Sequence, residues 1–229
     1  HLLMSVSELS TSTQNYLKAI WGLKEWSSEP VTATLIAKQL GLKLSSVSDA
    51  VRKMSKQGLV SHTPYGSVEL TELGRQYALV MVRRHRLLES FLVQALDYTW
   101  DEVHDEAENL EHAVSDMLIE RVDKFLNYPT RDPHGDPIPT VDGQVTIPSA
   151  HRLTDSGAQP QVTVERISDS DPQLLAFLKE QGIVIGAVLT TREGTPFSES
   201  LEVQVADSTQ WVVLGRPATD AVFVAHHSL

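Results

Sequence analysis

The sequence predicts a mainly α-helical chain with a small β part at its C-terminal end. Three observations carry this. Apolar residues recur at helical spacing through most of residues 11–126. Six of the eleven prolines fall between Pro129 and Pro160, where no regular helix can run. After Gln161, short Val-rich runs alternate with turn residues, as strands do. The chain has 229 residues, 41% hydrophobic and 21% charged, enough apolar side chain to fill a core and to exclude global disorder.

Thr11–Trp26 reads as a helix with Leu17, Ile20, Trp21 and Leu23 as its stripe and Ser12/Thr13 as caps. Pro30 breaks the pattern. Thr32–Leu40 follows with Leu35, Ile36, Ala37 and Leu40 inward, and Gly41 stops it. Ser45–Gln57 is a third helix, with Val47, Ala50, Val51 and Met54 inward and Gly58 at its end. Leu59-Val60 and Val68–Leu70 form a hairpin around Pro64-Tyr65-Gly66. Glu72–Leu96 and Asp101–Leu126 are two long helices. Residues 129–160 are irregular and grade into a linker. Strands are expected at Val162–Ile167, Ala187–Arg192, Ser200–Ala206, Trp211–Gly215 and Val222–Ala225, with a helix at Pro172–Gln181. So many short strands in so small a segment suggest a barrel.

The net charge is −11, which argues against a simple basic nucleic-acid binder. The charge is uneven, however. Residues 1–84 hold ten basic and six acidic side chains (+4), and residues 85–229 hold nine and 24 (−15). Cysteine is absent, which excludes disulfides, cysteine–zinc sites, thiol catalysis and iron–sulfur clusters. No apolar run approaches the roughly 20 residues of a membrane-spanning helix, and no leader pattern precedes the first helix, so a cytoplasmic protein with no membrane partner is expected.

Helix, tight turn, helix and hairpin form the winged helix-turn-helix pattern. Ser45, Ser46 and Ser48 are small enough to let the third helix enter the major groove. Lys43, Arg52 and Lys53 flank it as phosphate contacts, and Tyr65 sits in the wing. Asp49 would repel phosphate but can accept from a cytosine amine. A generic three-helix module with solvated lysines has the same pattern.

The acidic body carries His104, Glu108, Glu111 and His112 at spacings of four, three and one. On a helix these project from one face. His85 and Glu89, four apart, repeat the theme on the preceding helix. Two such helices side by side would make a divalent-metal site. A solvated acidic face is the plainer alternative. A metal-dependent hydrolase is a third reading, but there is no Ser/His/Asp order, no phosphate-cradling glycine loop and no His-Glu-x-x-His run. A fourth is a regulator that uses the barrel as a protein-interaction module, with the metal purely structural.

The run Arg83-Arg84-His85-Arg86-Leu87-Leu88-Glu89, then Glu102–Glu108, Glu111-His112 and Ser115-Asp116, and later Asp132–Pro139, resembles the diphtheria toxin repressor family of metal-dependent regulators. The resemblance implies a winged helix-turn-helix over 1–76, a helical dimerisation and metal-binding domain over 77–143, a linker over 144–160 and a small Src-homology-type β-barrel over 161–229. It implies a homodimeric repressor of metal-homeostasis genes that binds palindromic double-stranded operator DNA when loaded with metal, with no small organic substrate.

The resemblance places an ancillary metal site on His85, Glu89 and His104, with barrel candidates Asp171 and Gln173, and also Asp169 and Glu165. It places the primary, activating site on Glu108, Glu111, His112 and Asn15. Iron-type members carry Cys where Glu108 stands and Met where Asn15 stands. Oxygen donors in their place favour Mn²⁺, with Fe²⁺ as the alternative and Zn²⁺ or Co²⁺ as occupants in vitro. Short manganese-type members have an acidic residue at Lys18, which cannot ligate while charged. Left empty, the primary groups are expected to repel one another and hold the site open. His134, in its Pro/Gly-rich turn, reads more readily as structural than as functional.

Overall fold

The computed structural model describes residues 5–62 and 66–227 and divides into two compact units. One holds the chain up to Leu88, Glu108–Lys124 and Pro139–Val145. The other holds Glu89–Ala107, Phe125–Ile138 and the chain from Thr146 onward.

In the first unit, α1 (Thr11–Glu25) follows a 3-10 turn at Val6–Glu8. Its cap is Ser10, whose Oγ accepts from the Thr13 amide at 3.1 Å, so Ser12 and Thr13 lie inside the first turn rather than capping it. Helix α2 (Ala33–Leu40) begins at a Thr32 cap and ends at Gly41, whose φ of 65° is the left-handed conformation a tight stop requires. Helix α3 (Leu44–Lys56) follows. Strands β1 (Val60–His62) and β2 (Val68–Leu70) pair antiparallel, and a bridge from Thr32 to Ser67 ties the hairpin to the start of α2. Their turn, with Tyr65, lies outside the described residues.

Helix α4 spans Glu72–Leu96. One core joins these elements: Leu17 and Ile20 of α1, Ile36 of α2, Val47, Val51 and Met54 of α3, Val68 of the wing and Tyr77 and Met81 of α4. Each fully buried aliphatic side chain stabilises the unit by roughly 1.5–3 kcal/mol.

The second long helix breaks. Helix α5 is Val103–Leu110 and α6 is Asp116–Phe125. After Leu110 the chain tightens, with Ala113 and Val114 both donating to the Leu110 carbonyl. Ser115 then restarts a helix, its Oγ accepting from the Leu118 amide at 3.1 Å. Glu111 and His112 therefore stand in a turn, not on a helix face.

The second unit is built on a six-stranded antiparallel sheet in the order β3-β8-β4-β5-β6-β7. The strands are β3 (His151–Arg152), β4 (Val162–Ile167), β5 (Val188–Glu193), β6 (Leu201–Val205), β7 (Val212–Leu214) and β8 (Val222–His226). Helix α7 (Pro172–Glu180) and the short α8 (Arg216–Ala221) complete it. Leu153, Val162, Val164, Leu175, Leu178, Leu189, Val203 and Val224 form its core. The stretch 144–160, expected as a linker, supplies β3 and the fully buried Leu153. Among the described residues, no helix is long and apolar enough to cross a membrane.

Candidate metal centre

The first unit gathers one cluster from three places. Glu108 comes from the last turn of α5, Glu111 from the turn after it, and His85 from α4. A ligand atom from each lies within 4.8 Å of the other two. His85 Nδ1 is 3.5 Å from Glu111 Oε1. The Glu111 side chain is fully buried, and its Oε2 has no hydrogen-bond partner among the described residues. A buried carboxylate oxygen left unsatisfied costs about 1–3 kcal/mol, more when charged, unless a cation takes it up. Arg84, 1% exposed, fixes this corner: it donates to the Glu111 carbonyl at 3.3 Å and to Asp116 at 2.9 Å.

Helix α1 reaches the cluster through Gln14 and Lys18. His112 Nδ1 is 2.6 Å from Gln14 Oε1, and the Gln14 amide donates to the carbonyls of Val6 and Leu9, so Oε1 is the end that faces the imidazole. His112 Nε2 lies 4.0 Å from Glu111 Oε1. Burial lowers the His112 pKa against the pull of Glu111, with Lys18 adding to the lowering, which favours the neutral ring that metal ions need. Lys18 Nζ lies 2.8 Å from Glu108 Oε1 and 2.5 Å from Glu111 Oε1. Burial alone would lower the pKa of this ammonium, but the two carboxylates outweigh it and the net shift is upward. The expected repulsion between empty carboxylates is thus replaced by an internal cation. Asn15 is half-buried on α1; the described hydrogen bonds from α1 to this cluster come from Gln14 and Lys18.

The second unit gathers another cluster. His104 Nδ1 is 2.9 Å from Asp169 Oδ2 and 3.4 Å from Glu89 Oε1. The other Glu89 oxygen meets His134 Nδ1 at 3.0 Å, and Glu89 and His134 are both inaccessible to solvent. His134 stacks on Trp100 with centroids 5.2 Å apart. Its loop is held by Asp132 Oδ1, which accepts from the amides of His134 and Asp136. Glu89, Asp132 and His134 also bring ligand atoms within 4.8 Å of one another.

Burial opposes charge on both histidines, yet hydrogen bonds to carboxylates win. His104 is pushed up to about 11 by Asp169 and Glu89, and His134 to about 9 by Glu89. Asp169 is held low because the His104 contact outweighs burial.

Of the sheet-domain candidates, Asp169 reaches the cluster. Asp171 instead caps α7, its Oδ1 accepting from the Gln173 and Leu174 amides, and Gln173 is exposed in the first turn. Glu165 pairs with Arg131 at 2.8 Å. The predicted strip also divides: His104 belongs to this cluster, and Glu108 and Glu111 to the first. Gln14, Lys18 and His134 were missed. The signal for the first two was their four-residue spacing on one face of α1.

Both donor sets consist of carboxylate oxygen and imidazole nitrogen, and with the unsatisfied Glu111 oxygen they suit a divalent ion of the Mn²⁺ or Fe²⁺ kind.

At the other functional surface, Ser45, Ser46, Ser48, Asp49, Arg52 and Lys53 are all exposed along α3, whose buried side is Val47, Val51 and Met54. Lys43 occupies the N-cap position without a side-chain cap bond, leaving its ammonium at the helix start. Asp49 pairs with Arg52 at 3.2 Å.

Residues 8–68 match the family described as "Iron dependent repressor, N-terminal DNA binding domain". Residues 71–140 match "Iron dependent repressor, metal binding and dimerisation domain", and 151–226 match "FeoA domain". The chain is 36% identical over 203 residues to the iron-dependent repressor IdeR of Mycobacterium tuberculosis (strain ATCC 25618 / H37Rv), covering 83% of this chain and 87% of that protein. It is 36% identical over 137 residues to the diphtheria toxin repressor of Corynebacterium diphtheriae, covering 60% of each. A solved manganese-dependent transcriptional repressor in complex with manganese superposes with a TM-score of 0.90 at 47% identity, covering 94% of this chain and all of that one (100%). The manganese regulator SloR superposes at 0.79 with 31% identity, covering 94% and 98%. With a DNA-binding domain, a metal-binding and dimerisation domain and relatives matched over most of its length, the chain belongs to the iron-dependent and diphtheria toxin repressor family of metal-dependent transcriptional repressors.

Proposed function

We propose that the chain is a manganese-responsive repressor that binds a palindromic operator as a metal-loaded homodimer, in the cytoplasm, and controls metal-ion homeostasis genes. The observation that carries this is the Glu108–Glu111–His85 cluster, free of sulfur and in contact with α1, the first helix of the DNA-binding head. Carboxylate-rich sites suit Mn²⁺ better than thiolate-bearing ones do. Likeness to manganese-dependent repressors supports the reading.

Glu108, Glu111, His85 and His112 would hold the activating ion, with Asn15 as a further donor from α1. Glu89, His104 and Asp169, with Asp132 and His134 beside them, would hold a second. A divalent ion there would supply the positive charge to hold Glu108 of α5, Glu111 of the following turn and donors of α1 together. Gln14, anchored on Val6 and Leu9, holds His112 in place, and α1 transmits its position to α3 through their shared core. In a dimer, two copies of α3 would meet half-sites about 34–36 Å apart. Lys43, Ser45, Ser46, Ser48, Asp49, Arg52, Lys53 and Tyr65 would form that contact.

Iron response is the second reading, favoured by the IdeR relatives. The test is fluorescence anisotropy on duplexes selected from a random pool, with chelator, Mn²⁺, Fe²⁺, Zn²⁺ or Co²⁺. Metal is expected to tighten binding by about 5–150-fold, and Glu108→Ala to abolish that gain while the dimer persists. Equal affinity with chelator and with metal would overturn the reading.

A further inference from the structure

We propose that Lys18 is a tethered competitor for the activating metal ion, so that loading proceeds by exchange: the ammonium leaves the Glu108–Glu111 pair as the divalent ion enters. This rests on the assignment of that cluster as the activating site. Lys18 then sets the metal concentration at which the repressor switches.

The geometry leaves room for one cation. Lys18 Nζ touches Oε1 of both Glu108 and Glu111. A divalent ion on the same oxygens, at the roughly 2–2.5 Å of such bonds, would overlap the ammonium and be repelled by it. The exchange also has a direction. One ammonium faces two carboxylates and leaves Glu111 Oε2 unsatisfied, whereas a divalent ion matches both charges.

The neighbours show which α1 residue moves. Gln14, one turn before Lys18, is 2% exposed and pinned by the Val6 and Leu9 carbonyls, so it stays with His112. Lys18 is held only through its ammonium in the described hydrogen bonds, its side chain is 17% exposed, and its flexible stem can carry the charge to water. An ordinary surface ion pair would do no such thing. Here the partner carboxylate of Glu111 is wholly buried, so the pairing is obligatory until another cation replaces it.

The experiment follows the Lys18 amine directly. Wild-type dimer is treated with an amine-acylating reagent in chelator and in saturating Mn²⁺, and labelling at each lysine is read by peptide mass spectrometry. Lys18 is expected to be protected in chelator and reactive with Mn²⁺, while the exposed Lys43, at the N-cap of α3, and Lys53, within it, label equally in both. In parallel, Lys18→Met and Lys18→Gln are titrated with Mn²⁺ by calorimetry. Both are expected to bind about tenfold or more tightly than wild type, because a unit charge within about 4 Å of the ligands is gone. Their metal-free forms should melt lower, since Glu108 and Glu111 then face each other uncompensated. If a variant fails to fold, the wild-type labelling decides alone.

Glu111→Gln separates the two claims. Loss of one Mn²⁺ per chain in that variant, with Lys18 of the wild type still protected in Mn²⁺ or with Lys18→Met binding no tighter, overturns the exchange and spares the site. Full stoichiometry in Glu111→Gln overturns the site, and the exchange with it.

Discussion

His134 Nδ1 lies 3.0 Å from Glu89 Oε2, with both side chains closed to solvent and the imidazole stacked on Trp100. Burial works against an imidazolium in such a place, and Glu89 above all, with Asp132 and Asp169 adding to it, lifts its pKa to about 9. The folded value exceeds the ordinary 6.5, so this pair stabilises the metal-free protein fully below about pH 6.5. That contribution fades as pH climbs toward 9. Denaturant titrations in chelator should lose on the order of 1–3 kcal/mol across that window, and His134→Gln should flatten the decline. An unchanged slope in the variant would separate His134 from the effect.

His104 should give up a proton when metal binds. With a pKa of about 11 it is charged at neutral pH, and an imidazole nitrogen that already holds a proton cannot ligate. Calorimetric Mn²⁺ titrations in buffers of different ionisation enthalpy should reveal about one proton released per ion from this histidine. His104→Gln should lower the count, and a buffer-independent enthalpy would contradict the ligand role.

The turn that presents Asp132 and His134 leaves no space at Gly135. Its φ is +86°, and an added Cβ would sit 2.0 Å from the Glu165 carbonyl oxygen. Gly135→Ala is expected to destabilise the protein by about 2–4 kcal/mol, through both backbone strain and this clash. A melting temperature equal to that of the wild type would show that the 132–136 turn can relax.

On α3, Lys53→Ala should weaken operator and non-specific DNA alike and reduce the salt slope of binding by about one. Asp49→Ala should act oppositely on non-specific DNA, because Arg52 is no longer paired at 3.2 Å. Its effect on the selected operator should concentrate at one base pair if Asp49 accepts from a cytosine amine. A uniform change over all positions would confine Asp49 to charge balance.

The sequence was most legible where one element decides its own fate. Helices α1 to α4 were placed to within a residue or two, since apolar periodicity and caps such as Thr32 and Gly41 are local. The break at 111–115 was missed because Glu111 and His112 continue a helical spacing perfectly well; Ser115, which restarts the chain as α6, reads equally as a helical residue. Strand β3 was hidden among prolines, its pairing with β8 being a property of residues some seventy positions later. Among site residues, Asp171 looked like a ligand because Asp is both a ligand and a cap; the amides of Gln173 and Leu174 claim it. The charge that makes Lys18 unfit to ligate is the same charge that brings it to the two glutamates.

The sulfur-free character of both clusters has a consequence for a cell under peroxide. A thiolate ligand climbs from sulfenic to sulfonic acid, and its metal is lost at the first rung. Glu108, Glu111 and Glu89 have no such ladder, and the chain has no cysteine anywhere to form a mixed disulfide. As the proposed donors, these carboxylates would outlast oxidants that destroy a thiolate ligand, so peroxide would leave the coordinating side chains intact.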